Sequence, residues 1–163
     1  MSKTESNLKE AFAGESQANR KYLAFAKKAR EDGYPGVAKL FEAAAAAETV
    51  HAHKHLRTLK GVGTTGENLK AAIEGETFEF KSMYPKMIAE AIEEGNKAAE
   101  ISFKYANEVE KVHAALYEKA SAQMEKFPEQ DYHVCEICGF TAEGEAPDNC
   151  PVCGAAKKNF FKV

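Results

Sequence analysis

Acidic residues occupy the middle of the apolar stripe on each of four successive helix-like segments, and a histidine joins them on two of the four. They are Glu15 on the first segment, Glu48 and His51 on the second, Glu76 and Glu79 on the third, and Glu110 and His113 on the fourth. Buried carboxylates repel one another and lose hydration, which costs many kcal/mol unless cations neutralise them. A helical core built around these side chains therefore predicts a multinuclear metal site.

Breaks rich in glycine divide the chain up to residue 127 into helices. Residues 32–36, 61–66 and 95–96 supply turns and capping residues. We expect helices at roughly 4–31, 36–60, 67–94 and 97–126, the third with a kink or a new turn at Pro85, which has no backbone donor. These lengths and the absence of alternating strand patterns predict a mainly α fold for this region.

Two of the stripes contain Glu-x-x-His, namely Glu48 with His51 and Glu110 with His113. Residues three apart lie on the same side of a helix, so each pair can present an oxygen and a nitrogen to one point. Together with one Glu from each of the other helices, this is the pattern of ferritin-like di-iron and di-manganese four-helix bundles. The alternative is a salt-bridged helical surface, but such glutamates lie opposite the stripe. We expect that solvated position for Glu42, Glu93, Glu94 and Glu100.

The last 36 residues, 128–163, differ in composition and form a predicted second domain after a bundle at 1–127. Two Cys-x-x-Cys pairs, each followed by glycine, predict one tetrahedral site for zinc or iron, which stabilises a piece too small to fold on an apolar core. The ligands are Cys135, Cys138, Cys150 and Cys153. Zinc would give this site a purely structural role, whereas iron would let it accept and pass on one electron at a time.

Composition limits the kinds of binding partner and the cellular compartment that we expect for this protein. The net charge is −3 and the basic residues are scattered, which argues against nucleic acid and against an anionic membrane as partners. Neither a signal-like apolar stretch at the N-terminus nor a membrane-length apolar run occurs in the sequence. Reduced cysteines fit a metal site inside the cell better than a disulfide framework, so we expect a cytoplasmic protein.

The order of these features resembles the rubrerythrin family along essentially the whole chain. A Glu and Glu-x-x-His bundle is followed by a rubredoxin-like four-cysteine module, and several local strings match. They are residues 14–22, 48–51, 75–79, 83–85, 110–113 and 144–147, with Cys150-Pro151 after the last. Phe78 and Phe80 depart from the family, whose members often have tyrosine or another polar aromatic there. That departure would change the hydrogen bonds around the metal ligands but not the ligands themselves.

The resemblance implies a role for each of these residues. Glu48 and Glu110 would bridge two irons, Glu15 and Glu76 would be terminal ligands, and His113 would bind the second iron. Glu79 and His51 would exchange at the first iron when the redox state changes, with Tyr22 and Tyr84 as hydrogen-bond donors near the ligands. The cysteines would hold a rubredoxin-like iron, for which zinc can substitute.

The resemblance also implies an activity, the reduction of hydrogen peroxide to water in protection against oxidative stress. Electrons would arrive from rubredoxin or a reduced-pyridine-nucleotide-dependent reductase through the four-cysteine iron. Five carboxylates and two neutral imidazoles around two ferrous ions leave a charge near −1, which favours oxidation. Two alternatives stay open: a ferroxidase or iron-handling protein of the ferritin-like class, and a scaffold whose cysteines hold zinc.

The linker at residues 127–132 predicts how the protein assembles. About six residues reach roughly 20 Å when extended, so we expect the tail not to approach its own di-metal site closely enough for fast electron transfer. A head-to-tail homodimer, in which the tail of one subunit serves the bundle of another, solves this. Whether helices are also exchanged between subunits stays open, because residues 61–66 suit either a turn or a hinge.

Overall fold

The computed structural model describes residues 2–163. The chain divides into two compact units, Met1–Gly63 and Thr64–Val163. Long helices precede a small sheet at the C-terminal end. The elements are α1 (Lys3–Glu31), α2 (Pro35–Thr58), α3 (Thr65–Phe78), α4 (Tyr84–Glu93), α5 (Lys97–Ala122), β1 (Tyr132–Cys135), β2 (Thr141–Glu143) and β3 (Phe160–Lys162).

Side-chain caps fix where three of the helices begin. The hydroxyl of Ser2 accepts the backbone N–H of Glu5 at the start of α1, and Asn96 accepts that of Ala99 at the start of α5. Before α3, Thr64 and Glu67 form a reciprocal capping box. These bonds satisfy backbone donors that the first helical turn leaves without a partner. The predicted starts are therefore confirmed to within two residues.

In the first unit, α1 and α2 pack against each other along a seam of small side chains. Ala38, Ala45 and Ala52 are buried at a spacing of seven residues on α2, opposite Ala26 and Ala29 of α1. A seven-residue spacing keeps one face of a helix toward its neighbour, and alanine lets the two backbones approach closely. The seam thus fixes the pairing of the two helices.

In the sequence, the apolar stripe that contains Glu48 and His51 also runs through Val37 and Ala44. The seam positions 38, 45 and 52 each lie one residue after a position of that stripe. Val37 is 48% exposed, Ala44 and Glu48 are half-buried, and the His51 ring lies at the surface. The contact between two helices is narrow and takes the smallest side chains, so the larger and acidic ones line its edge. The prediction of a helix was right, but its fully buried positions were wrong.

The third predicted helix is interrupted at the position of its proline. α3 ends at Phe78, a π-helical turn follows at Glu79–Met83, and α4 begins at Tyr84. The N–H of Tyr84 donates to the carbonyl of Glu79, five residues back. Because Pro85 lacks an N–H and would clash with the carbonyl four residues earlier, the chain takes up one extra residue here. The predicted kink is confirmed.

In the second unit, α5 packs against both α3 and α4. It buries Val109 and Ala114, and also Glu100, which is only 8% exposed. We expected Glu100 in solvent, and that was wrong. Its carboxylate accepts hydrogen bonds from the amino groups of Lys97, at 2.8 Å, and Lys104, at 2.7 Å. Two cations on the same helix make the burial of this charge possible.

The C-terminal end of the second unit is a three-stranded antiparallel sheet with the order β2-β1-β3. Val134 of β1 is opposite Thr141 on one side and Phe161 on the other. The prediction of a mainly α chain followed by a small four-cysteine module is thereby confirmed. Within residues 2–163 no helix is both long enough and apolar enough to cross a bilayer.

Candidate metal centres

The first candidate centre lies on the α1–α2 pair. Glu15, Glu48 and His51 each offer one donor atom, and these atoms lie within 4.8 Å of one another. Nδ1 of His51 is 2.8 Å from Oε2 of Glu48 and 4.0 Å from Oε1 of Glu15. The helical spacing of three residues brings Glu48 and His51 together, and the pairing with α1 brings Glu15 to them.

The second centre, on α3 and α5, repeats this geometry. Glu76, Glu110 and His113 again present donor atoms within 4.8 Å of one another. Nδ1 of His113 is 2.7 Å from Oε2 of Glu110 and 3.9 Å from Oε2 of Glu76. Each unit therefore carries one Glu from one helix and a Glu-x-x-His pair from the next, with nearly the same distances. The sequence predicted these six residues as ligands of one di-iron site, and their ligand roles remain predictions.

The carboxylates of the second centre are held close enough to disturb their ionisation. Burial, a hydrogen bond to Glu110 and the charges of Glu110 and Glu79 raise the pKa of Glu76 to about 7. Burial and the charge of Glu110 raise the pKa of Glu79 as well. Acids packed in this way bind protons when no cation is present. Carboxylate oxygen and imidazole nitrogen suit divalent iron or manganese, so the residues fit a metal of this kind.

Three further residues predicted at the site lie outside the two clusters. Glu79 opens the π-helical turn, and its charge acts on Glu76 and on Tyr84. Burial and the nearby Glu110, Glu79 and Glu76 raise the pKa of Tyr84, so its hydroxyl stays protonated. The ring of Tyr22 packs against Phe25 and Phe41, with centroids 6.3 and 6.1 Å apart. Their predicted roles as ligand and donors remain predictions.

The four cysteines form a third candidate centre, with all four sulfurs within 4.8 Å of one another. The Sγ atoms of Cys135 and Cys153 are 3.7 Å apart, and those of Cys138 and Cys150 are 3.5 Å apart. A tetrahedral ion with bonds of about 2.3 Å to sulfur requires a separation of about 3.8 Å. The site therefore fits zinc or iron without a change of fold.

Backbone conformation and electrostatics also prepare the four-cysteine centre for a metal. Gly139 and Gly154, which follow the second cysteine of each pair, have φ of 84° and 76°, as their predicted role in the turns requires. Burial acts to raise the pKa of Cys150, but backbone N–H groups of Cys153 and Val152 outweigh it and lower the pKa. For Cys138 burial and the neighbouring thiols prevail, and its pKa is raised. Neighbouring thiolates repel one another, and a bound cation would stabilise them.

A cavity of about 640 Å³ in the second unit opens onto the second centre. Glu76, His113 and Thr141 are among its polar lining residues, and carbon-rich side chains make up most of the lining. Among these are Leu69, Leu116, Met124, Phe127 and Val134. A small uncharged molecule can therefore approach the second centre through an apolar space.

The four-cysteine module lies directly against the second centre of its own chain. Nε2 of His113 is 3.0 Å from the hydroxyl oxygen of Thr141 on β2, and the Lys119 amino group is 2.7 Å from Glu143. The expectation that the linker keeps the tail away from its own site was wrong. A short linker suffices because the end of α5 already runs beside the module. Nothing in the sequence singled out Thr141, since one threonine in a strand carries no metal-site signal.

Comparison with known proteins agrees with these centres. The family model described as rubrerythrin matches residues 6–121, and one described as the rubredoxin-like domain of rubrerythrin matches residues 133–161. Rubrerythrin-2 of Clostridium acetobutylicum is 35% identical over 94% of this chain and 92% of its own. Nigerythrin of Nitratidesulfovibrio vulgaris is 39% identical over 94% of this chain and 83% of its own. The chain belongs to the rubrerythrin family.

Solved structures give the same result. Nigerythrin in a partially reduced state is similar with a TM-score of 0.61 and 37% identity, covering all of this chain and 88% of the other. Its fully reduced, all-ferrous state also gives a TM-score of 0.61. Membership makes this chain an oxidoreductase-type, iron-binding protein of oxidative stress defence, with a di-iron site in the helices and a rubredoxin-like four-cysteine site.

Proposed function

We propose that this chain is a non-haem peroxidase that reduces hydrogen peroxide to two water molecules with two electrons and two protons. One observation carries the proposal: the unit Thr64–Val163 holds both a Glu and His metal cluster and a four-thiol cluster. A protein that only oxidises and stores iron has no need of a one-electron centre beside its carboxylates. A zinc scaffold has no need of the carboxylate cluster.

The metal ligands we propose are those that the family resemblance implies. Glu48 and Glu110 bridge two irons, Glu15 and Glu76 bind at the ends, and His113 binds the second iron. Glu79 and His51 exchange at the first iron. The matched distances of the two Glu-x-x-His pairs, 2.8 and 2.7 Å, support a ligand role for both pairs. The ferrous state in the name of a solved nigerythrin structure supports iron as the metal.

Iron at these ligands supplies two electrons, one from each ion, for cleavage of the O–O bond. The protein side chains bind the metal, limit which molecules enter the cavity and supply protons. Apolar side chains line most of the cavity beside Glu76 and His113, so an uncharged molecule enters it more readily than a charged one. Tyr84, whose raised pKa keeps its proton in place, lies in the field of the carboxylates and serves as a proton donor near the second centre.

Electrons enter through the four-cysteine centre, which takes them singly from rubredoxin or from a reduced-pyridine-nucleotide-dependent reductase in the cytoplasm. The thiolates set the potential of an iron at this centre through the N–H groups that face them, such as those of Val152 and Cys153. The head-to-tail homodimer stays a prediction. The argument from linker length no longer supports this dimer. Sedimentation of the iron-loaded protein at working concentration tests whether the dimer forms.

An anaerobic single-turnover experiment tests the proposal. Iron-loaded protein is reduced until the visible thiolate-to-ferric absorption bleaches, and hydrogen peroxide is then added. We expect the absorption to return with about one peroxide consumed for every two electrons. Glu108→Gln, a change at a glutamate paired only with Asn107 and Lys111, is the matched control and should behave like the unchanged protein.

The alternatives predict different results in the same experiment. A ferroxidase would consume added ferrous ion with dioxygen and leave the reduced four-cysteine iron unaffected by peroxide. A zinc scaffold would show no visible absorption after purification. Full iron loading without peroxide consumption would refute the proposed activity.

A further inference from the structure

Two hydrogen bonds join the second metal centre to the loop that carries Cys138. Nε2 of His113 is 3.0 Å from the hydroxyl oxygen of Thr141, and that hydroxyl donates to the carbonyl of Gly139 at 3.2 Å. Gly139 directly follows Cys138. On its other side, Nδ1 of His113 faces Oε2 of Glu110 at 2.7 Å. Each nitrogen of this imidazole thus has one defined neighbour.

The direction of these bonds depends on what each group can donate. The carbonyl of Gly139 only accepts, so the single hydroxyl proton of Thr141 points to it. The hydroxyl oxygen therefore offers a lone pair to His113, and Nε2 must carry the proton. Nδ1 is then the nitrogen that a metal ion can bind, and it is the one that faces Glu110 and Glu76.

We propose that Thr141 is a positioning residue: it holds His113 with its proton on Nε2 and Nδ1 toward the metal, and it links the four-cysteine loop to the second centre. The proposal rests on the proposed function only in that a metal ion binds Glu76, Glu110 and His113. Partners of this kind orient a metal-ligating histidine and make it more basic, and their loss commonly costs 10- to 100-fold in metal affinity.

The surrounding contacts let the hydroxyl keep this position. The ion pair between Lys119 and Glu143, the residue two after Thr141, ties β2 to α5. The side chain of Val109 on α5 lies close to Gly139, 3.8 Å from where a β-carbon would stand. The sheet is therefore held against α5 on both sides of Thr141.

The link has a consequence for electron transfer. An iron held by the four thiolates would supply one electron, becoming oxidised, and a ferric ion held by Glu76, Glu110 and His113 would accept it, becoming reduced. No bond breaks, and the proton on Nε2 stays in place. The path from Cys138 through the Gly139 carbonyl and the Thr141 hydroxyl to His113 offers a hydrogen-bonded connection for this step within one chain.

Thr141→Val and Thr141→Ser test the proposal, with Thr58→Val as matched control. Valine keeps the shape and removes the hydroxyl, serine keeps the hydroxyl, and Thr58 bonds only to the carbonyl of Lys54. Co²⁺ is titrated into protein that already holds zinc at the cysteines, in a His51→Asn background that weakens the first centre. The visible absorption of Co²⁺ reports binding at the second centre.

We expect valine at position 141 to weaken Co²⁺ binding about 10-fold, and serine and the control to change it less than about twofold. In separate preparations with iron at the cysteines, the potential of that iron should be the same in all variants. Equal affinity in the valine variant, or an equal loss with serine, overturns the proposal. None of these measurements uses peroxide, so a failed peroxidase assay leaves them interpretable.

A second measurement needs no variant and holds even if Thr141→Val does not fold. In the zinc-loaded protein, long-range proton–nitrogen correlation spectra of labelled histidine report which nitrogen of His113 carries the proton. We expect a proton on Nε2 that exchanges slowly with solvent. A His113 ring with its proton on Nδ1, or with metal bound to Nε2, overturns the proposal.

Discussion

Oε2 of Glu110 lies 2.7 Å from Nδ1 of His113, one turn further along α5. The same relationship occurs between Glu48 and His51 on α2, at 2.8 Å. In each pair the carboxylate oxygen and the imidazole nitrogen lie side by side, so both can reach one cation. The two helix pairs thus carry equivalent donor sets, and a substitution made in one set can be repeated at the matching position of the other.

Replacing Glu110 should remove metal from the helices without affecting the tail. We expect Glu110→Ala to lose at least one of the helix-bound irons because the second cluster keeps only two ligands. The visible absorption of the four-cysteine iron should be unchanged. Metal analysis together with absorption spectra measures both, and Glu108→Ala on the same helix is the control. Unchanged iron content after removal of Glu110 would contradict a ligand role, and Glu48→Ala should act in the same way.

The stability of protein without metal in its helices should fall as the pH rises from 5 to 8. The pKa of Glu76 is about 7 in the folded chain, against 4.5 as the ordinary value. Between these values the folded state holds a proton that the unfolded chain has released, so the free energy of unfolding decreases through this window. After allowance for partial exposure we expect a decrease of about 1 kcal/mol.

Urea denaturation at several pH values measures this dependence, and Glu76→Gln should reduce it, because glutamine cannot ionise. The part that comes from Glu79, whose pKa is also raised, should remain. Carboxylates with lowered pKa, such as Glu67 and Glu143, lose their contribution only at lower pH and do not interfere in this window. A slope that persists unchanged in Glu76→Gln would assign it to another group.

Enlarging a side chain in the α1–α2 seam should destabilise the first unit. Ala45 is 1% exposed and its carbonyl accepts a hydrogen bond from Asn19, so leucine at this position has no room. We expect Ala45→Leu to cost about 1–3 kcal/mol. Ala46→Leu, one residue later on the exposed side, should change the free energy of unfolding by less than about 0.5 kcal/mol. Helical circular dichroism during denaturation compares the two variants, and equal losses would argue against the seam.

Removing one thiol should unfold the small sheet and leave the helices. Cys150 is buried, and with three thiols the centre cannot complete a tetrahedral set. We expect Cys150→Ser to lose the visible absorption and the dispersed amide resonances of residues 132–162, with most helical signal retained. Cys150 and the other three cysteines are the sequence feature that most strongly predicts a folded module in this region. A folded, metal-free sheet in this variant would show that the module has enough core of its own.

Much of the candidate site could be predicted from sequence because its ligands have helical and knuckle spacing. Glu-x-x-His is a local relationship, so Glu48 with His51 and Glu110 with His113 meet wherever the helix forms. Pro85 predicted a break for an equally local reason, the missing N–H. The buried seam of α2 was missed because it depends on which face α1 covers. Glu100 was missed because its burial depends on where Lys97 and Lys104 place their amino groups.

By itself, the sequence determined the helices, the kink, the two Glu-x-x-His pairs and the two Cys-x-x-Cys pairs, since each depends on residues a few positions apart and on the chemistry of their side chains. Tertiary structure alone decided that Thr141 meets His113, because 28 residues separate them and only the packing of β2 beside α5 brings them within 3.0 Å. Contacts over such distances depend on how complete elements pack, and no local pattern records them.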